Sequence, residues 1–339
     1  MKNKFYCLPL VVISVVVSAA FGYQNSELED SYTKIRSSPL SAPLFLENNR
    51  IFTYVSINGS EEQLFVIDNA WSHTTVDPRL LKLQPLAIKR NVGFQALGQQ
   101  DHVAPEGIIP SLRLGNLEIQ SAYIRASDIL EEISLAFKRD VSGVFAHGSM
   151  AQYITTIDIR GGRISFHDCN NERPYYAHQY DNAIVLDFGP DPWRNSSKQH
   201  FSIELTINGK VINAIVDLGF QRGILTNLDP ELLGLNVDPE QEPFGISSGG
   251  FFGRGWNAEP CSVEVGGLKV NNVEIIHFES NFEGEYTLLG VEFLKRFKMI
   301  FDFRNEKLAL IPYPSSRDKT STTFAQLAES GVSALSEGR

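Results

Sequence analysis

The strongest constraint on this chain is that its second half repeats the first. Val55-Ser56-Ile57-Asn58-Gly59 leads into Leu64-Phe65-Val66-Ile67-Asp68, and Leu205-Thr206-Ile207-Asn208-Gly209 leads into Ala214-Ile215-Val216-Asp217. Each segment predicts a hairpin: alternating apolar residues, an Asn-Gly turn that accepts positive φ, and an apolar strand ending on aspartate. Gly59 precedes Asp68 by nine residues and Gly209 precedes Asp217 by eight. Both halves then carry Asp-Pro-x-Leu-Leu, at Asp77–Leu81 and Asp229–Leu233. This pattern predicts a helix start, with Asp as N-cap and Pro in the first turn. Leu112–Leu117 parallels Val263–Leu268 as a further strand-turn-strand unit, and Ile157-Asp158-Ile159 parallels Phe301-Asp302-Phe303. Asp68 to Asp158 is 90 residues and Asp217 to Asp302 is 85. Shared order at shared spacing predicts two homologous β-rich lobes.

The ends stand outside this repeat. Lys2 and Lys4, the apolar run Leu8–Val17 and the small residues Ser18, Ala19, Ala20 and Gly22 form the pattern of an export signal over 1–22. An uncleaved membrane anchor is the alternative reading of the same run, and no later stretch is apolar enough to span a bilayer. Either reading exports the body of the chain, as a periplasmic or secreted protein. The full chain has 339 residues and a formal charge of −10, with no cluster of Lys and Arg. That balance argues against nucleic acid as a partner. Cys169 and Cys261 remain after the signal, and the sequence leaves open one disulfide or two thiols. The expected divisions are a flexible segment at 23–44, a first lobe at 45–169, a connection at 170–199, a second lobe at 200–312 and a flexible tail at 313–339.

The order of these features resembles the aspartic peptidases of the retropepsin and pepsin type, over roughly residues 45–312. The resemblance implies an all-β chain of two homologous β-barrel lobes with a cleft between them and few short helices. It also implies a monomer, because one chain supplies both lobes. The family's closing apolar-apolar-Gly element matches Leu288-Leu289-Gly290, and in the first lobe Val144-Phe145-Ala146. In that family this element packs beneath the loop that holds the catalytic aspartate. The family's Asp-Thr/Ser-Gly loop corresponds to Asp68-Asn69-Ala70 and Asp217-Leu218-Gly219, with Ser72 the hydroxyl expected near the first aspartate.

The resemblance therefore assigns Asp68 and Asp217 as the catalytic pair, with Asn69, Ala70, Ser72, Leu218 and Gly219 supporting the loops. Asn69 and Leu218 replace the threonine whose hydroxyl normally bonds across to the opposite loop, and Leu218 has no side-chain group to do so. Ala70 adds a β-carbon where glycine is free, which predicts a shifted or strained loop. A flap tyrosine is missing between Gln84 and Pro110. Two adjacent carboxylates cannot both ionise easily, so one keeps its proton while the other activates a water against a peptide carbonyl. No metal, cofactor or covalent nucleophile is required. The expected partner is a peptide or protein, as the substrate of an endopeptidase or as the ligand of a catalytically silent binding module. The glycine-rich segment 247–255 is the candidate second-lobe flap, with Gly250, Phe251 and Phe252 contacting ligand.

Other constellations carry less. No His-Glu-x-x-His or Gly-x-Ser-x-Gly pattern occurs. His167, Cys169 and His178 make a weak zinc pattern in a connecting segment. Asp158 and Asp302 are read as structural, each ending a strand before a turn.

Overall fold

The computed structural model describes residues 14–15, 40–81, 87–96, 99–169, 180–189, 201–238, 240–248, 251–280 and 285–314. The signal apart from Ser14–Val15, most of the segment at 23–44, His178, Gly250, the tail from 315 and most of the connection lie outside the described residues. The described chain is dominated by strands, gathered into sheets of ten, eight and six. Among the described residues the longest helix is Ile129–Phe137.

The turns explain why the strands pair as they do. Asn58 and Gly59 have φ of 51° and 75°, and Asn208 and Gly209 have φ of 48° and 81°. These positive values turn the five-residue connection from Arg50–Ile57 to Gln63–Asp68 and form the two-residue turn from Ser202–Ile207 to Lys210–Val216. The Asp-Pro starts also form. Asp77 accepts the Arg79 N–H at 2.7 Å ahead of a short 3-10 helix at Pro78–Leu81. Asp229 accepts the Glu231 N–H at 2.9 Å ahead of a one-turn α-helix at Pro230–Leu233.

The eight-stranded sheet is built from residues 45–146 and the ten-stranded sheet almost wholly from 202–289. In each, the strand ending on aspartate is flanked by a short parallel strand. Gly143–Ala146 pairs with Phe65–Asp68, and Thr287–Leu289 pairs with Ile215–Val216. Each short strand also pairs antiparallel with the strand after the aspartate loop, Thr75–Val76 or Ile224–Thr226. In each sheet three strands separate the aspartate strand from a hairpin, at 87–114 at the edge of one and at 244–257 in the other, where Ser14–Val15 pairs with Ser247–Ser248 beyond it.

The six-stranded sheet draws on both ends of the chain. Tyr153–Asp158 pairs with Phe297–Asp302 across the middle, so strands that follow each lobe hydrogen-bond directly. Phe145, Phe166, Ile157, Phe301 and Phe303 belong to one continuous buried cluster that extends into both lobes. Burial of each such side chain contributes about 1.5–3 kcal/mol. Asp158 and Asp302 end their strands and accept main-chain N–H groups from Gly161 at 2.8 Å and Asn305 at 3.1 Å.

Three local expectations need correction. Leu40–Pro43, placed by sequence in a flexible segment, is a strand paired with Arg163–Phe166, because Ala42 and Leu44 bury their side chains. Within the connection, Ile184–Asp187 pairs with Lys307–Leu310 at the sheet edge. Tyr313, at the start of the expected tail, donates its hydroxyl to Asp158 at 2.8 Å. The two cysteines are unpaired: Cys169 donates to the Gln152 carbonyl at 2.9 Å, while Cys261 begins a second-lobe strand.

Gly290 shows how tightly the closing element is packed. A β-carbon there would stand 2.4 Å from the carbonyl oxygens of both Phe220 and Arg222. Gly290→Ala is expected to lower stability by about 1–3 kcal/mol through overpacking, whereas Ala146→Gly costs no more than about 1 kcal/mol. Urea denaturation midpoints check the contrast, and equal effects would contradict the packing assignment.

Candidate active site

The two aspartates stand at equivalent places. Asp68 ends its strand opposite Ala146, and the Asp217 N–H donates to the Leu289 carbonyl at 2.9 Å. Each carboxylate then folds back over its own loop. Asp68 Oδ1 accepts the N–H groups of Ala70 at 2.8 Å and Trp71 at 3.1 Å. Asp217 Oδ1 accepts those of Gly219 at 2.7 Å and Phe220 at 3.1 Å. Ala70 does not adopt a positive φ, so the expected strain from its β-carbon is not found. Its N–H does the work expected of glycine.

Gly219 is needed for a different reason. A β-carbon on it would lie 2.3 Å from Asp68 Oδ2, so the second loop runs directly against the first carboxylate. Asp68 is 4% exposed and Asp217 is fully buried. The Oδ2 atom of Asp217 is buried and has no hydrogen-bond partner.

What ties the loops together is Asn69. Its amide donates to the Val216 carbonyl at 2.8 Å, and its carbonyl accepts the Leu218 N–H at 2.8 Å. The cross-loop bond that Leu218 cannot make with its side chain is thus made by its main chain, from the other side. Leu218 itself is buried in the main hydrophobic cluster. Ser72 is placed next to His73, with Oγ 3.0 Å from Nδ1, and its main-chain carbonyl accepts the Gly148 N–H.

Burial sets the electrostatics of the pair. Removal from water pushes the Asp68 carboxyl up to about 7, although the Ala70 and Trp71 N–H groups pull it down. Asp217 is raised well above the usual carboxylate range by burial first and by the charge of Asp68 second. That charge reaches Asp217 because the second loop lies directly against the Asp68 carboxylate.

A charged ladder that sequence reasoning missed stands beside the first loop. Glu106, on the inner strand of the hairpin at 87–114, is fully buried and accepts from Arg90 at 2.9 Å, Tyr123 at 2.9 Å and Arg125 at 2.8 Å. His73 Nδ1 lies 3.6 Å from the same carboxylate, and burial lowers its pKa to about 4. The ladder links the hairpin to the loop that follows Asp68. Removing Glu106 would leave Arg125 as an uncompensated buried charge, a loss of about 3–5 kcal/mol. Register could have pointed to it, because Arg90, Glu106 and Arg125 fall in one row across three strands.

Residues 203–296 match the family model described as gag-polyprotein putative aspartyl protease. The match supports the aspartic protease family. It spans less than a third of the chain and contains Asp217, Leu218, Gly219 and the Leu288-Leu289-Gly290 element. None of the curated proteins matches the chain. Among the described residues no group of three or more His, Cys, Asp or Glu side chains is placed to hold a metal ion.

The candidate flap is a hairpin in its main chain, Phe244–Ser248 against Phe251–Asn257, with Ser248 opposite Phe251. Gly250 at its tip lies outside the described residues, and so do the side chains of Phe251 and Phe252.

The raised Asp68 pKa has a consequence for stability. An aspartate whose folded pKa lies above its ordinary 3.8 favours the native state at low pH and loses that contribution as pH rises through the window to about 7. Asp68→Asn is therefore expected to be more stable than the parent above about pH 7, by up to about 4 kcal/mol, with the difference vanishing below about pH 4. Thermal unfolding across that range checks it. A parent that outlasts the variant at neutral pH would contradict the assignment.

Proposed function

We propose that this chain is an exported aspartic-type endopeptidase, monomeric, with its two lobes as tandem copies of one unit and Asp68 and Asp217 as its catalytic pair. The observation that carries the reading is the approach of the two aspartate loops, with the Gly219 main chain against the Asp68 carboxylate and Asn69 bonded to both sides of Asp217. The family match over the second lobe supports the same chemistry.

In this reading the shared proton rests on Asp217, the more deeply buried of the two, whose pKa is raised by burial and by the charge of Asp68. Asp68 ionises first and takes a proton from a water held between the carboxylates, as that water adds to the peptide carbonyl. Asp217 donates to the carbonyl oxygen, and collapse of the resulting diol passes a proton to the departing amine. An extended peptide lies between the edge hairpins of the two lobes, held by main-chain hydrogen bonds.

The second reading, a catalytically silent peptide-binding module, is favoured by the depth of the pair. Asp68 is 4% exposed and Asp217 wholly enclosed, and the side chains at Trp71 and Phe220 bring no hydroxyl to the outer carboxylate oxygens. That environment also moves the working range of an active pair toward neutral pH, because hydroxyl donors would hold the ionised form lower.

Cleavage of a diverse peptide mixture from acid to neutral pH separates the two. A peptidase is expected to show a bell-shaped profile whose acid limb falls near the Asp68 value of about 7. Asp68→Asn and Asp217→Asn should each lower cleavage by at least about a thousandfold while leaving peptide binding in place. Binding without turnover in the parent selects the silent module, and full cleavage by the doubly substituted chain would remove the pair from the mechanism.

A further inference from the structure

The six-stranded sheet carries a polar cavity on its outer face, away from the aspartate pair. Its volume is about 290 Å³. Thr156 and Ser165 lie directly opposite each other in the register of the two central strands, and Asp158 lies opposite Arg163. Alternation puts all four on the face turned away from the main core, where Ile157, Ile164 and Phe166 are buried. His167, Lys298 and Tyr180 complete the wall.

The charges in this cavity are unevenly satisfied. Asp158 is fully engaged: Oδ1 accepts from Gly161 and Tyr313, each at 2.8 Å, and Oδ2 faces Lys298 Nζ at 2.9 Å. Its negative charge is thereby matched to Lys298. Burial lowers the His167 pKa, so this ring is neutral at physiological pH. Arg163 is exposed and forms no ion pair with the described residues, which leaves the cavity with one uncompensated positive charge. Two hydroxyls add to it. Thr156 is 9% exposed, and its Oγ1 is buried with no hydrogen-bond partner, an arrangement that costs about 1–3 kcal/mol. Ser165, half-buried, has no side-chain partner among the described residues. Beside this polar floor lies a small apolar cluster of Ile154, Ile300, Ala309 and Ile311, against which Tyr180 packs.

We propose that this cavity is a second ligand site, for a small molecule bearing one oxyanion, a carboxylate or a phosphate, on a body that rests against Tyr180. The Arg163 guanidinium supplies the charge-assisted hydrogen bond, and the paired hydroxyls of Thr156 and Ser165 donate to the remaining oxygens. The site does not depend on the peptidase reading, and it touches neither aspartate loop. It does sit on the sheet whose central strands join the two lobes.

The test is thermal unfolding of the full chain with inorganic phosphate and, separately, succinate, at ionic strength held constant with sodium chloride. A saturable rise in Tm with at least one probe is expected, and the preferred probe tells phosphate from carboxylate as the natural head group. Arg163→Gln, at an exposed position, should weaken that response by about tenfold or more. Thr156→Val should weaken it similarly while leaving the unliganded protein at least as stable as the parent. No saturable shift with either probe would overturn the site, and so would an undiminished shift in Arg163→Gln, which would mark an adventitious ion only.

Discussion

The arrangement depends on one buried amide. Asn69 reaches across from the first aspartate loop and takes both a carbonyl and an N–H from the second, on either side of Asp217. A buried hydrogen bond of this kind is worth about 1 kcal/mol net, yet leaving either main-chain group unpaired would cost more. The energetic weight of Asn69 therefore lies in what its loss would orphan. The bond pair also sets the register between lobes, because Val216 and Leu218 flank the aspartate that must meet Asp68. Around it the structure accepts a cost: two carboxylates in a space that water scarcely reaches, with pKa values displaced upward by burial and by one another.

The rest of the fold supplies rigidity for that cost. The short parallel strands at Gly143–Ala146 and Thr287–Leu289 brace the two loops from below, and the packing around Gly290 leaves no room for a side chain. Trp71 is fully buried and donates its indole N–H to Thr75 at 2.7 Å, so the first loop is pinned just beyond its aspartate. The six-stranded sheet then holds the lobes together far from the site, with Thr155–Ile157 paired to Met299–Phe301. The Glu106 ladder joins the first-lobe hairpin to the same loop region through charge and hydrogen bonds instead of apolar contact.

Much of this was legible in the sequence, for local reasons. Asn-Gly pairs encode turns through their own backbone preferences, and Asp-Pro encodes a helix start, so both hairpins and both capped turns could be read directly. The β-rich lobes followed from order and spacing, and the pairing of the two aspartates was what the resemblance to aspartic peptidases implied. What was hidden depended on partners distant in sequence. Asn69 read as the loss of a threonine hydroxyl, because nothing local shows that a longer amide can serve two groups 147 and 149 residues away. Glu106 and Arg125 carried no local signal, since burial on a particular face is decided only when three strands align. Leu40–Pro43 and Ile184–Asp187 were too short to register as strands, and they gain their order from edges that already exist.

That Asp68 and Asp217 form one interacting, buried pair has a spectroscopic consequence. Carbon-detected NMR titration of the two carboxyl groups tests it most directly. Both are expected to titrate well above the ordinary aspartate value of 3.8, and Asp68→Asn is expected to move the Asp217 transition downward by removing its charged neighbour. Two independent transitions near 3.8, unaffected by substitution of the other residue, would contradict it.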